Sequence, residues 1–141
     1  MKNNKFYKKP LSNIYKKPSV FSEVTSQILY GEKFKILSKN KNWIRIKVLF
    51  DKYIGYIENK NYTDSYKPTH KVSILKTSIF DKLKKKTKYF LPFSSKVLII
   101  QENKNFIEFE KNRWIKKKDI KKINHVEKNY LKVLKLFLKT R

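Results

Sequence analysis

The sequence predicts a mainly β protein: two small β-barrels in tandem, followed by a C-terminal amphipathic α-helix. Three observations lead there. Tyr, Phe, Ile, Lys and Asn dominate, alanine is absent and there are only two glycines. β-Branched and aromatic side chains suit a pleated surface, and the best helix former is missing. Polar and apolar residues alternate through Lys33-Phe34-Lys35-Ile36-Leu37 and again through Trp43-Ile44-Arg45-Ile46-Lys47-Val48, the period of a half-buried strand. The same pattern then recurs in the second half of the chain.

Residues 1–10 read as a basic tail ending at Pro10. A first barrel is expected over 11–62. Leu11, Ile14 and Tyr15 open an extended segment, and Lys16-Lys17-Pro18-Ser19 reads as a turn, because proline fixes φ and steers its predecessor away from helix. Gln27-Ile28-Leu29-Tyr30 leads into Gly31, which suits a tight turn needing positive φ. The two alternating runs form a hairpin around a polar turn at 38–42. After a turn at Asp51-Lys52, Tyr53-Ile54-Gly55-Tyr56-Ile57 supplies another short strand.

Residues 63–70, polar and containing Pro68, read as a linker. A second barrel is expected over 71–122. Lys96-Val97-Leu98-Ile99-Ile100 repeats the texture of 33–37, Phe106-Ile107-Glu108-Phe109 that of 43–46, and Trp114-Ile115 stands where Tyr56-Ile57 stood. Two barrels of this size lie at the small end of viable domains. Over 124–141, Asn124 can cap a helix with Glu127 reaching back. Val126, Tyr130, Val133, Leu134, Phe137 and Leu138 then fall on one helical face. That face needs a surface to pack on.

Composition also limits function. The formal net charge is +25, yet only Arg45, Arg113 and Arg141 are arginines. Arginine is the usual bidentate reader of phosphates and bases. The lysine excess therefore reads first as solvated surface and second as the mark of a polyanion partner. The runs Lys84-Lys85-Lys86 and Lys116-Lys117-Lys118 are expected at solvated loop edges. There is no cysteine, which excludes disulfides, thiolate metal sites and a cysteine nucleophile. His70 and His125 are the only histidines, too few for a multi-histidine metal site, so no metal and no cofactor is expected. Residues 1–15 lack an apolar run of signal-peptide length, and nothing approaches an integral membrane segment. The expected location is the cytoplasm.

Residues 11–62 resemble the bacterial SH3-like domain of NlpC/p60 cysteine peptidases, of the bacterial dipeptidyl-peptidase type. The match rests on Tyr15-Lys16-Lys17-Pro18, on the run Ser22-Glu23-Val24-Thr25-Ser26-Gln27-Ile28-Leu29-Tyr30-Gly31-Glu32, on Trp43, and on Asp51-Lys52-Tyr53-Ile54-Gly55-Tyr56-Ile57. Tyr56 stands where the family usually has tryptophan. Residues 71–122 look like the second SH3-like domain of that architecture, and 124–141 like the helix that opens the peptidase domain. The resemblance implies two tandem SH3-like barrels ahead of a missing catalytic domain, from a truncated, split or fragmentary gene.

It also implies a role. Family members cleave cell-wall (murein) peptides between D-glutamate and a diamino acid, and the first SH3-like domain lines the cleft. By motif, Tyr53 is the counterpart of a substrate-side tyrosine. Glu23 is the counterpart of an acid that holds the peptide's free amino terminus. A carboxylate pairs well with an ammonium, and a phenol can donate to a developing oxyanion. Read without the resemblance, Tyr53 is a barrel residue with its hydroxyl in water, Glu23 an exposed carboxylate and Trp43 a packing residue. The chain is thus expected to be non-catalytic, with a murein peptide or the catalytic domain as partner. Two alternatives remain open: a basic nucleic-acid-binding double barrel, and an adaptor that docks a separately encoded catalytic domain.

Overall fold

A computed structural model describes residues 4–123. The chain divides into two compact units, Met1–Tyr66 and Lys67–Arg141. Both are built of strands; among the described residues the one helical element is a 3₁₀ turn at Lys117–Asp119. The helix expected over 124–141 lies outside the described residues.

The first unit holds β1 (Asn4–Tyr7), β2 (Leu11–Tyr15), β3 (Val24–Leu29), β4 (Lys33–Lys39), β5 (Trp43–Val48), β6 (Ile54–Glu58) and β7 (Tyr62–Thr63). They form one antiparallel sheet in the order β3-β2-β6-β5-β4-β1-β7. Its two edges stay open, so it is a half-barrel. The expected β4–β5 hairpin is present, with Phe34 opposite Val48 and Ile36 opposite Ile46. Alternation works as strand geometry requires: Ile44, Ile46 and Val48 point inward with Tyr7, Ile14, Ile28, Phe34 and Ile57, and all are buried. Gly31 takes φ 77°, and its N–H donates to the Tyr7 carbonyl at 2.6 Å. The Leu29 N–H donates to the Glu32 carboxylate at 2.9 Å and closes the same turn.

Two sequence expectations change here. Residues 4–7 were expected in a basic tail, yet they form β1, seated between β4 and β7. Lysine density hid a short strand. Tyr7 is buried, Phe6 meets Tyr66 edge to face at 5.7 Å, and Lys5 pairs with Asp64 at 3.6 Å. The expected linker 63–70 is also shorter than its composition suggests, because β7 includes Thr63 and β8 begins at His70.

The second unit holds β8 (His70–Val72), β9 (Lys76–Phe80), β10 (Lys86–Pro92), β11 (Lys96–Val97), β12 (Gln101–Glu102), β13 (Phe106–Glu110), β14 (Arg113–Lys116) and β15 (Ile120–Lys122). A five-stranded sheet runs β10-β9-β14-β13-β12, and a three-stranded sheet runs β11-β8-β15. Val72, Ile79, Leu91, Val97, Ile107 and Ile115 are buried. The strand expected at 96–100 is divided instead. β11 pairs with β8 and β12 with β13, so the chain changes sheets across 98–100. Asp119 is buried and accepts a hydrogen bond from Thr77 Oγ1 at 2.7 Å. That bond satisfies a carboxylate that would otherwise be costly to bury.

Candidate functional site

Tyr53 lies just before β6. Its N–H donates to Asp51 Oδ1 at 3.1 Å, and its carbonyl accepts from the Val48 N–H at 2.8 Å. Its ring is partly buried against the core of the first unit. Glu23 lies at the foot of the arm between β2 and β3, with its side chain exposed. Its carbonyl accepts from the Lys16 N–H at 2.9 Å, while Ser22 Oγ accepts from the Lys17 N–H at 2.9 Å. These bonds fix the arm at its base.

The register relates the two residues. Tyr15 pairs with Val24 on one side and Tyr56 on the other. Counted from that row, Glu23 lies one residue and Tyr53 three residues toward the same end of the sheet. Gly55 permits the close strand contact between them. A Cβ there would stand 2.3 Å from Ile14 Cγ2 and 3.0 Å from the Tyr15 carbonyl oxygen. This end of the half-barrel thus offers an exposed carboxylate and a partly exposed phenol, with Val24 and Ile54 also open to solvent.

Trp43 begins at the other end of the β5–β6 hairpin, opposite Glu58. It meets Tyr15 edge to face at 5.8 Å. With Pro18, Val20, Phe21, Lys41 and Glu58 it lines a cleft of about 540 Å³. A second, smaller cavity of about 190 Å³ is lined by Tyr7, Ser12, Asn13, Tyr15 and Asn61 among others. Burial raises the Tyr7 phenol above its ordinary pKa, so it stays protonated and hydrogen-bonded to Ser12. Sequence reasoning treated Trp43 chiefly as packing and missed these cavities. The signal was a tryptophan followed by strand alternation; that residues 18–21 come to line one cleft with it is tertiary.

In the second unit, Lys104, Asn105, Phe106, Lys116, Lys117 and Lys118 surround a cavity of about 600 Å³. Phe106 meets Phe80 edge to face at 5.1 Å. Glu102 pairs with Lys117 at 2.7 Å, which holds its carboxyl below the ordinary range. Hydrogen bonds from Gln101 and the Asn112 N–H do the same for Glu108. His70 is lowered by burial and by Lys122 nearby.

Residues 14–61 match the family described as the bacterial dipeptidyl-peptidase Sh3 domain. The first unit is thus a domain of bacterial SH3 type, the resemblance that its motifs carry. Among solved structures, the chain is similar to a NlpC/P60 family protein from Bacillus cereus ATCC 10987. The TM-score is 0.63 at 12% identity, covering 84% of this chain and 55% of that one. The chain therefore spans about half the length of that relative, and at this identity the likeness is one of fold. No curated protein matches the sequence.

Proposed function

We propose that this chain is the non-catalytic, substrate-positioning region of a cell-wall peptidase that cuts γ-D-glutamyl–diamino acid peptides, and is inactive alone. The observation that carries the reading is the family match over 14–61, within which Glu23 and Tyr53 fall at one end of the sheet. In this reading the Glu23 carboxylate receives the free ammonium of the peptide, and the Tyr53 hydroxyl orients the carbonyl to be attacked. Both units are SH3-like barrels in this scheme, and the catalytic domain is supplied beyond them or by a separate chain.

The test is a nuclear magnetic resonance titration of the purified chain with L-Ala-γ-D-Glu-L-Lys. Shifts should gather at Glu23, Tyr53 and the arm, weaken in Glu23→Gln and Tyr53→Phe, and occur without hydrolysis. Turnover by the pure chain, or shifts confined to other regions, would overturn the reading.

A second reading, polyanion binding, has its own observation in the second unit. Among the described residues, its acids have partners within the unit: Asp119 with Thr77, Glu108 with Gln101 and Asn112, Asp81 with its own turn, Glu102 with Lys117 and Glu110 with Arg113. Four lysines, Lys104, Lys116, Lys117 and Lys118, gather about Phe106. An oligonucleotide titration over a salt series tests it. Affinity that falls steeply with salt and drops further in Phe106→Ala supports base stacking on a charged face. A flat salt response removes it.

A further inference from the structure

The two cavities of the first unit adjoin, since Glu58 and Lys60 line both. They meet at these two residues and at the Tyr15–Trp43 contact, at the opposite end of the β5–β6 hairpin from Tyr53, and are taken together as one groove. We propose that this groove is an oligosaccharide-binding site, for hexose-type rings bearing acetamido and carboxylate substituents. Three features of the groove define that ligand.

The first is aromatic surface. Trp43 and Tyr15, both half-exposed, meet edge to face at 84°. Phe21 stands 95% exposed on the arm and lines the cleft with Trp43. Ring faces of this kind take the C–H faces of sugars, as amphipathic aromatics take any apolar body with a polar rim. The second is neutral hydrogen-bonding capacity. Ser12, Asn13, Asn42 and Asn61 line the groove, and each amide offers donors and acceptors together, the complement of hydroxyl and acetamido groups. The third is charge. Lys9, Lys41 and Lys60 line the groove, and its one lining carboxylate, Glu58, is paired with Lys60 at 3.0 Å. A carboxylate on the ligand matches this balance.

The groove is also held in shape. Asn40 Oδ1 accepts from the N–H groups of Asn42 at 3.1 Å and Trp43 at 2.9 Å. The Asn59 N–H donates to the Asn42 carbonyl at 2.9 Å, and Tyr62 holds the Asn59 side chain. A binding site that is largely preformed loses little on ordering. An extended peptide fits less well. Strand addition needs an open sheet edge, whereas β5 and β6 are paired on both sides; the open edges are β3 and β7.

The experiment is a ¹H–¹⁵N titration of the full chain with a hyaluronan tetrasaccharide and, separately, with chitotetraose. Saturable shifts are expected at Asn42, Trp43, Asn59 and Asn61, with Glu23 and Tyr53 spared. Hyaluronan should bind more tightly at low salt, and that preference should fade as salt rises. Trp43→Ala should weaken binding about tenfold, the scale of one lost ring contact. Asn13→Ala, a surface change that leaves the sheet intact, should weaken it as well. No saturable shift with either sugar overturns the proposal, as does a tetrapeptide shifting these amides where the sugars do not. Equal binding of both sugars at low salt overturns the carboxylate preference. Because the peptide reading is tested at Glu23 and Tyr53, its failure and the failure of this proposal are separately visible.

Discussion

Replacing Gly55 by alanine places a methyl group 2.3 Å from Ile14 Cγ2. That is roughly 1.5 Å short of ordinary carbon–carbon contact. Ile14 is fully buried in the core of the half-barrel and cannot turn outward. The Tyr15 carbonyl oxygen, 3.0 Å from the same point, is backbone in a paired strand and yields no more readily. Overpacking of this kind costs about 1–3 kcal/mol. For a unit of this size each kcal/mol lowers Tm by about 4–8 °C, so the first unit should melt roughly 5–20 °C lower. With Trp114 of the second unit replaced by phenylalanine, Trp43 fluorescence follows this unit during heating. The decisive measurement is a double-mutant cycle. Ile14→Ala alone costs about 2–5 kcal/mol, but it removes the atom that Gly55→Ala strikes. In that background the Gly55→Ala penalty should shrink by about 1 kcal/mol or more. A Tm within a degree of the parent, or an equal penalty in both backgrounds, refutes the close-approach argument.

The remaining expectations concern both units. Thr77→Val leaves the buried Asp119 carboxylate without its Thr77 hydroxyl bond and should cost about 1–3 kcal/mol, read as a lower urea midpoint for the second unit. Tyr7 carries a pKa raised above 10.0 by burial. The unfolded chain therefore deprotonates first, and this contribution to stability is present below pH 10 and lost as pH rises through the folded-state pKa. Tyr7→Phe should flatten that alkaline limb, and an unchanged limb would count against it. Glu108 lies below its ordinary 4.5, so its contribution is present above that value and lost as pH falls through the depressed pKa. Glu108→Gln should remove part of the acid limb in a pH series of thermal melts.

Much of the first unit was legible in the sequence. The alternation in 33–37 and 43–48 fixed which side chains face the core, because a strand's period is two and one face must be buried. Gly31 was readable as a turn because few other residues adopt positive φ without strain. The Asp-x-Tyr-x-Gly run was readable as a turn leading into a short strand, and β6 begins at Ile54, directly after Tyr53. β1 was not legible, since its four residues carry one lysine and sit beside several more, and only pairing with β4 and β7 gives them a reason to be extended. The divided strand at 96–100 was also hidden. An apolar run says that burial is needed, but not in which of two sheets.

What the sequence determined by itself was local: strand character, turn positions and the absence of any thiol in these residues. The tertiary structure decided neighbourhood. It put Glu23 and Tyr53 toward one end of the sheet, brought Phe21 and Trp43 to one cleft, and set Glu58 and Lys60 in the lining of two cavities. Such relations depend on register and on the path of the β2–β3 arm, and these are set by pairings between residues distant in the chain. Local propensity is summed along the backbone, whereas a binding groove is a product of contacts across it.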